Sequence, residues 1–402
     1  MHSDARDTLL TYRDEFPILE RTNYLVSNSL GAMPRLVPER LAEYAREWSE
    51  LGVRAWANGW WDMPVRVGDV IAPLIGAEPR SVSMQPNVSI AQSIVLSAMD
   101  FRGGRDTVVM TELDFPSVRY AFGELAKKMG ARIVVVPSDD GVTIDESRLL
   151  EAIDERVRLV CVSHVLFKSA YILDADAICA RAHAVGAMVS LDAYHSVGVI
   201  PVDVLTSGVD FLTGGVLKWL CGGPGAAFLY VSPAVRTTLE PALTGWQAHA
   251  HPFAFEQDME YAGGIERWLT GTPSVPALFA AAAGAEIVAR AGMDAIRRKS
   301  IRQTDWLIDA ADARGYRVHA PRDSARRGGT VAFDVPHGRE VAQYLLARDI
   351  IVDYRVGAGI RVAPHFYTRD EELDHCLGAI DDCLASGAWS SFTEAARAAI
   401  VT

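Results

Sequence analysis

The chain has 402 residues, half of them hydrophobic, and a formal charge of −12. That length supports two or three domains around sizeable buried cores, while the acidic balance excludes a nucleic-acid or anionic-membrane surface, which needs clustered basic side chains. No apolar run is long enough to span a bilayer, and Met1 to Asp7 lack the charged-then-apolar pattern of an export signal, so a cytoplasmic protein working on a small molecule is expected.

Residues 1–64 read as an N-terminal segment that packs with the C-terminal third. It contains the aromatic stretch Trp56-Ala-Asn-Gly-Trp60-Trp61-Asp62, which is expected to serve core or subunit-interface packing, with a stacking surface for an aromatic ligand as the alternative. Residues 65–273 read as a large α/β domain. Short apolar runs at Thr107–Thr111, Arg132–Val136, Val157–Ser163, Met188–Asp192, 209–213 and 226–231 alternate with helical patterns, as a mainly parallel sheet covered on both faces requires. Thr143-x-x-Glu146 reads as a capping box, and Gly186 closes a helix over 174–185. Residues 274–402 read as a smaller α+β domain. An alanine-rich helix (Val275–Ala291) and a charged amphipathic one (Met293–Ala313) precede strands near 330–335, 350–354 and 359–363, and a last helix starts at the box Thr368-x-x-Glu371. The five cysteines (Cys161, Cys179, Cys221, Cys376, Cys383) are dispersed and lack C-x-x-C spacing, so they read as ordinary thiols with neither a metal site nor a disulfide framework.

Lysine is rare: Lys127, Lys128, Lys168, Lys218 and Lys299 are the whole set. Lys127 and Lys128 suit a helix C-terminus before Gly130, and Lys299 in Arg297-Arg-Lys reads as part of a solvated helical face. Lys168 follows the strand ending at Ser163. Lys218 instead runs into the glycine-rich turn Gly222-Gly-Pro-Gly225, where backbone approaches a ligand closely. Upstream, Asp192 closes an apolar strand, at the edge of an open α/β sheet where ligands collect. A carboxylate buried there needs a cationic mate, and a protonated pyridine ring supplies one. A lysine that carries an aldehyde cofactor and an aspartate that keeps its ring protonated together point to pyridoxal 5'-phosphate, and so to amino-acid chemistry. His195 is placed to stack on that ring or hydrogen-bond to it.

The phosphate requires donors and a helix N-terminus, which Asn87-Val88-Ser89 offers at the start of a helical pattern; Thr272 is a second candidate. Phe115, in Asp114-Phe-Pro-Ser117, is placed to cover one ring face. Arg361 is the candidate fork for a substrate carboxylate.

These residues resemble the class-V, fold-type I pyridoxal-phosphate enzymes, and their kynureninase-like group in particular. The shared stretches are Asn23-Tyr-Leu-Val-Ser-Asn28-Ser-Leu-Gly31, Gly59-Trp-Trp-Asp-Met-Pro-Val-Arg-Val-Gly68-Asp, Leu74-Ile-Gly-Ala77, Phe115-Pro-Ser117, Ser163-His-Val165, Asp192-Ala-Tyr-His195-Ser, Lys218 with Gly222-Gly-Pro-Gly225, Gly245-Trp246, Gly271-Thr272 and Arg361. The resemblance covers essentially the whole chain. It implies a seven-stranded type of central sheet and a homodimer with active sites at the subunit interface, Trp246 and Thr272 serving the neighbouring chain's cofactor. It also implies a lyase that cleaves a bond at Cβ of an L-amino acid; for kynurenine the products are anthranilate and alanine. Asn28, Ser29 and Trp61, within shared stretches, join Arg361 as candidate substrate-binding residues.

Three positions depart from the family's pattern. Leu217 stands where a tyrosine usually precedes the lysine, Val118 where an aspartate follows Phe-Pro-Ser, and Gln247-Ala248-His249 where Phe-Gly-His is usual. They leave open a different substrate or leaving group: Cβ–S cleavage, transamination, epimerisation or decarboxylation. A binding protein without catalysis is the third reading, disfavoured because it has no chemical need for Lys218.

Overall fold

A computed structural model describes residues 7–394, so the opening six residues read above for an export signal, and the last eight, lie outside it. The strands, in chain order, are β1 (Asn23–Tyr24), β2 (Val82–Gln85), β3 (Thr107–Thr111), β4 (Arg132–Val136), β5 (Val157–Ser163), β6 (Met188–Asp192), β7 (Phe211–Gly215), β8 (Ala227–Val231), β9 (Val331–Phe333), β10 (Ile350–Ile351), β11 (Asp353–Arg355) and β12 (Gly359–Val362). Seven of them, in the order β2-β8-β7-β6-β5-β3-β4, form the central sheet. The neighbours from β7 across to β4 run parallel; β8 is antiparallel to both β7 and β2.

Alternation along each strand divides the core in two. Val109, Val160 and Val162 join one buried cluster and Val108, Met110, Leu159 and Cys161 the other, as the period of two requires for a sheet covered on both faces. Five of the six apolar runs expected from sequence contain a strand of this sheet; the other, 209–213, overlaps β7, which runs on to Gly215. The seventh, β2, was not anticipated: Ser83 and Gln85 interrupt its apolar character, yet all four residues are buried, with Gln85 Nε2 donating to the Trp268 carbonyl at 2.9 Å.

A second sheet, β11-β12-β9, is antiparallel, and β1 pairs in parallel with β10. Leu25, beside β1, sits in one buried cluster with Leu307, Phe333, Ile360 and Leu377. No single helix among the described residues is long and apolar enough to cross a membrane. All five cysteines are free and buried.

Three local expectations need correction. The helix Glu146–Glu151 is capped by Asp145, which accepts from the Ser147 and Arg148 N–H groups; Thr143 bonds Asp140 instead, and Glu146 turns to Tyr171. The last helix opens at Asp370, with Glu372 rather than Glu371 accepting the Arg369 N–H, because Thr368 already accepts the N–H of His365. Lys299 is buried rather than solvated: its Nζ lies 2.6 Å from Asp7 and donates to the Phe366 carbonyl at 2.7 Å. Its helical face is covered by two segments remote in sequence, which helical spacing cannot reveal. Gly186 does follow the helix Ala175–Ala184, with φ at 75°.

Candidate active site

The carboxyl ends of the parallel strands open into a cavity of about 350 Å³. Ser163 and Asp192 stand side by side in register at the ends of β5 and β6, and Thr213 of β7 is the next register partner of Asp192. Asp192 is buried at the cavity wall and accepts the Tyr194 N–H at 2.9 Å; among the described residues it makes no ion pair. Past β7 the chain turns, and Lys218 projects into the cavity with its Nζ 2.7 Å from His195 Nε2. Two aromatic rings flank the ammonium, Tyr194 with its centroid at 4.4 Å and Phe115 at 5.6 Å. The turn is held tightly. Gly31 N–H donates to the Leu217 carbonyl at 2.7 Å, and a Cβ at position 31 would come within 2.1 Å of the Lys218 carbonyl oxygen, so only glycine fits.

One wall is the first turn of the helix Val88–Ser97, where Asn87 Oδ1 accepts from Ile90 N–H at 3.0 Å. The leading N–H groups of a helix lack intrahelical acceptors, so Val88 and Ser89 present donors and a positive dipole end to the cavity. The facing wall comes from β11 and β12. Asp353 and Arg361 are register partners across that ladder, and the guanidinium grips the carboxylate through Nε at 2.6 Å and through a second nitrogen. A third donor goes to the Phe167 carbonyl. Arg355, two residues along from Asp353, lies 3.1 Å from the same carboxylate and also faces the cavity.

These surroundings set the charges. Burial, and then the nearby Arg361, push the Lys218 amine down to about 7. Burial raises the Asp192 carboxyl to about 6, against the opposing pull of the Tyr194 N–H and Lys218. Burial, Lys218 and Arg361 hold His195 well below the ordinary imidazole range, so it is neutral beside the lysine. Perturbed groups converging in one cavity mark a functional site.

Of the residues singled out from sequence, the structure brings Asn28, Ser29, Asn87, Val88, Ser89, Phe115, Asp192, His195, Lys218 and Arg361 to this one cavity. It does not bring Trp61, Trp246 or Thr272 there. Trp61 packs edge-on against Trp246 at 4.8 Å and against Phe253, while Thr272 lies in a separate niche with Gln85, Pro86 and Gln247. Sequence reasoning missed Tyr194, Arg355 and Asp353. For the last two a signal existed: in Asp353-Tyr-Arg355 the alternation puts the acid and the base on one face of a strand, facing Arg361 across a tight turn.

The residues fit pyridoxal phosphate. Asp192 is buried without the cationic partner that a pyridinium would supply. Asn28, 1% exposed, leaves both amide atoms without a partner among the described residues at the cavity wall, as expected of a group that awaits a ligand.

Comparison with known proteins agrees. The family model for aminotransferase class-V matches residues 34–377. A kynureninase of Pseudomonas fluorescens is 36% identical, over 96% of this chain and 95% of its own length. In fold, the chain is similar to the apo structure of a cysteine desulfurase from Thermococcus onnurineus NA1, with a TM-score of 0.83 and 23% identity over 96% of this chain and 100% of the other. It is also similar to a C-DES variant with glycine covalently linked to its pyridoxal-phosphate cofactor, with a TM-score of 0.84 and 22% identity over 92% and 99%. The chain belongs to the aminotransferase class-V family, among its kynureninase-like enzymes that depend on pyridoxal phosphate.

Proposed function

We propose that this enzyme cleaves a bond at Cβ of an L-amino acid of the kynurenine type, with Lys218 as the catalytic base. The observation that carries the reading is the placing of a depressed lysine amine against a neutral His195, with the Arg361 fork in the same cavity.

Bound at Lys218, the cofactor supplies an electron sink for the bond at Cα. The protein does the rest. With its amine near 7, Lys218 is about half unprotonated at neutral pH and able to take the α proton, and His195 keeps it aimed through a 2.7 Å contact. Arg361 has five N–H donors, of which Asp353 takes two and the Phe167 carbonyl one, so two remain to hold a substrate carboxylate. The Asp353 fork fixes the plane in which they point. Asn28 and Ser29 would bind the substrate beside them. Asn87, Val88 and Ser89 would hold the phosphate, Phe115 would cover one face of the ring, and Asp192 would face its nitrogen.

A second reading keeps this site but changes the leaving group. Leu217 and Val118 both line the cavity, so neither a phenol nor a carboxylate stands at those positions to pass a proton to a departing carbon; sulfur leaves as a thiolate without that help. Incubation with L-kynurenine, followed by anthranilate fluorescence, separates the two. Anthranilate released at ordinary enzymic rates supports the first. Its absence, with alanine or pyruvate formed from cysteine conjugates, selects the second.

The proposal extends to the assembly. Trp61, Trp246 and Thr272 would complete the partner's cavity in a homodimer, whose interface the exposed Trp246, Phe253 and Phe255 would help to cover. Residues 65–273 would form the large domain, with 1–64 packed on a small domain of 274–402 that closes over the substrate. Five free, buried cysteines suit a reducing cytoplasm.

A further inference from the structure

Three successive carbonyls define the turn that carries Lys218, and each is held from a different direction. Leu217 O accepts from Gly31 N–H at 2.7 Å, Lys218 O from Cys221 N–H at 3.1 Å, and Trp219 O lies 2.8 Å from His365 Nε2. Only the last partner is a side chain, and it comes from a remote part of the chain. His365 lies four residues beyond β12's Arg361, on a strap that is itself anchored: its N–H goes to Thr368, and the next carbonyl, of Phe366, accepts from Lys299.

The imidazole is 2% exposed and stands edge-on to the Trp219 indole, with centroids 5.2 Å apart. Burial pushes it down to about 3, so it is neutral and must carry its proton on Nε2 to serve a carbonyl. Its Nδ1 is then buried with no partner among the described residues. Packing alone does not account for such a group, because an apolar ring of the same shape would fill the space without an orphaned nitrogen.

We infer that His365 is a positioning residue: its Nε2–H, bonded to the Trp219 carbonyl, locks the Lys218 turn to the strand bearing Arg361, keeping amine and guanidinium at a set spacing. The inference rests on the assignment of Lys218 and Arg361 to cofactor and substrate. Its physical content is narrower, namely that the histidine fixes where the lysine amine sits.

The test uses the full chain with His365→Phe and His365→Met, which fill the site without a donor, and His365→Gln, which restores one. In cofactor-free protein, trace acetylation of Lys218 is followed across pH by peptide mass. In H365F and H365M the midpoint is expected to rise by about one pH unit, about fivefold less free amine at pH 7, as the amine leaves its buried place; H365Q should behave as wild type. An unchanged midpoint in H365F and H365M, or no rescue by H365Q, overturns the proposal. So does loss of folding in both donorless variants beside a native H365Q, because the contact is then structural. Borohydride trapping in the wild type separates this from the parent reading: a cofactor label on a peptide without Lys218 defeats the functional assignment, while the acetylation result still decides the role of His365.

Discussion

The two ends of the cavity treat charge in opposite ways. On β12, Arg361 is matched before any ligand arrives: Asp353 grips it from the facing register position and Arg355 shares the carboxylate. At the carboxyl edge of the large sheet no such ion pair forms among the described residues: Asp192 accepts the Tyr194 N–H, and Lys218 faces a neutral histidine. Burial therefore shifts the lysine amine and the aspartate toward their neutral forms, down to about 7 and up to about 6 respectively. On the proposed roles, the group that would exchange protons sits where its protonation is finely balanced, whereas the group that would hold a carboxylate is built into a rigid pair.

The contrast can be broken from either end. The largest effect belongs to Lys218→Ala, which should lower turnover by about a thousandfold or more and abolish the absorbance of the bound cofactor; residual turnover close to wild type would sink the assignment. Next comes Asp353→Ala, which leaves two arginines facing an empty site. Urea unfolding should show a loss of about 3–5 kcal/mol, the cost of stripping one partner from a buried pair. Arg361→Ala should weaken substrate binding by about 2–5 kcal/mol while cofactor affinity changes little, and equal substrate affinity in the two proteins would refute the fork.

The pH dependence sharpens the comparison. In the cofactor-free protein the Lys218 amine is held near 7, below its ordinary 10.5, so between those values the unfolded chain binds more protons. The lysine's contribution to stability is fully present above about 10.5, falls as pH drops through that window and levels off below about 7. Lys218→Met should remove this slope and raise stability at neutral pH, measured by urea unfolding at a series of pH values; a parallel pair of curves would mean that the amine is not perturbed. The smallest effect is expected for Asn87→Ala, about 1 kcal/mol of helix-cap stability together with weaker cofactor binding, read by equilibrium dialysis.

Much of this was legible in the letters. Six apolar runs marked strands of the central sheet, since strands buried on both faces must be apolar throughout. Lys218 stood out because lysine is scarce, and Asp192 because a carboxylate ends an apolar strand. The helix start at Asn87-Val88-Ser89 was visible because capping is a contact between near neighbours. Each of these signals arises within a few residues.

Other features arise only when distant segments meet. Lys299 looked like a surface residue until the Phe366 carbonyl and Asp7 closed over it. β2 carries serine and glutamine into the core because Trp268 supplies a carbonyl for the glutamine. Arg361, the candidate fork, is buried only because its short strand pairs with β11 and its guanidinium reaches the Phe167 carbonyl. The sequence by itself determined most of the elements and most of the residues that meet in the cavity, because periodicity and capping act locally. Tertiary structure decided how far each charge is buried and so which are left perturbed, because the energy of a buried charge depends on neighbours from other parts of the chain, as Lys218 on Arg361.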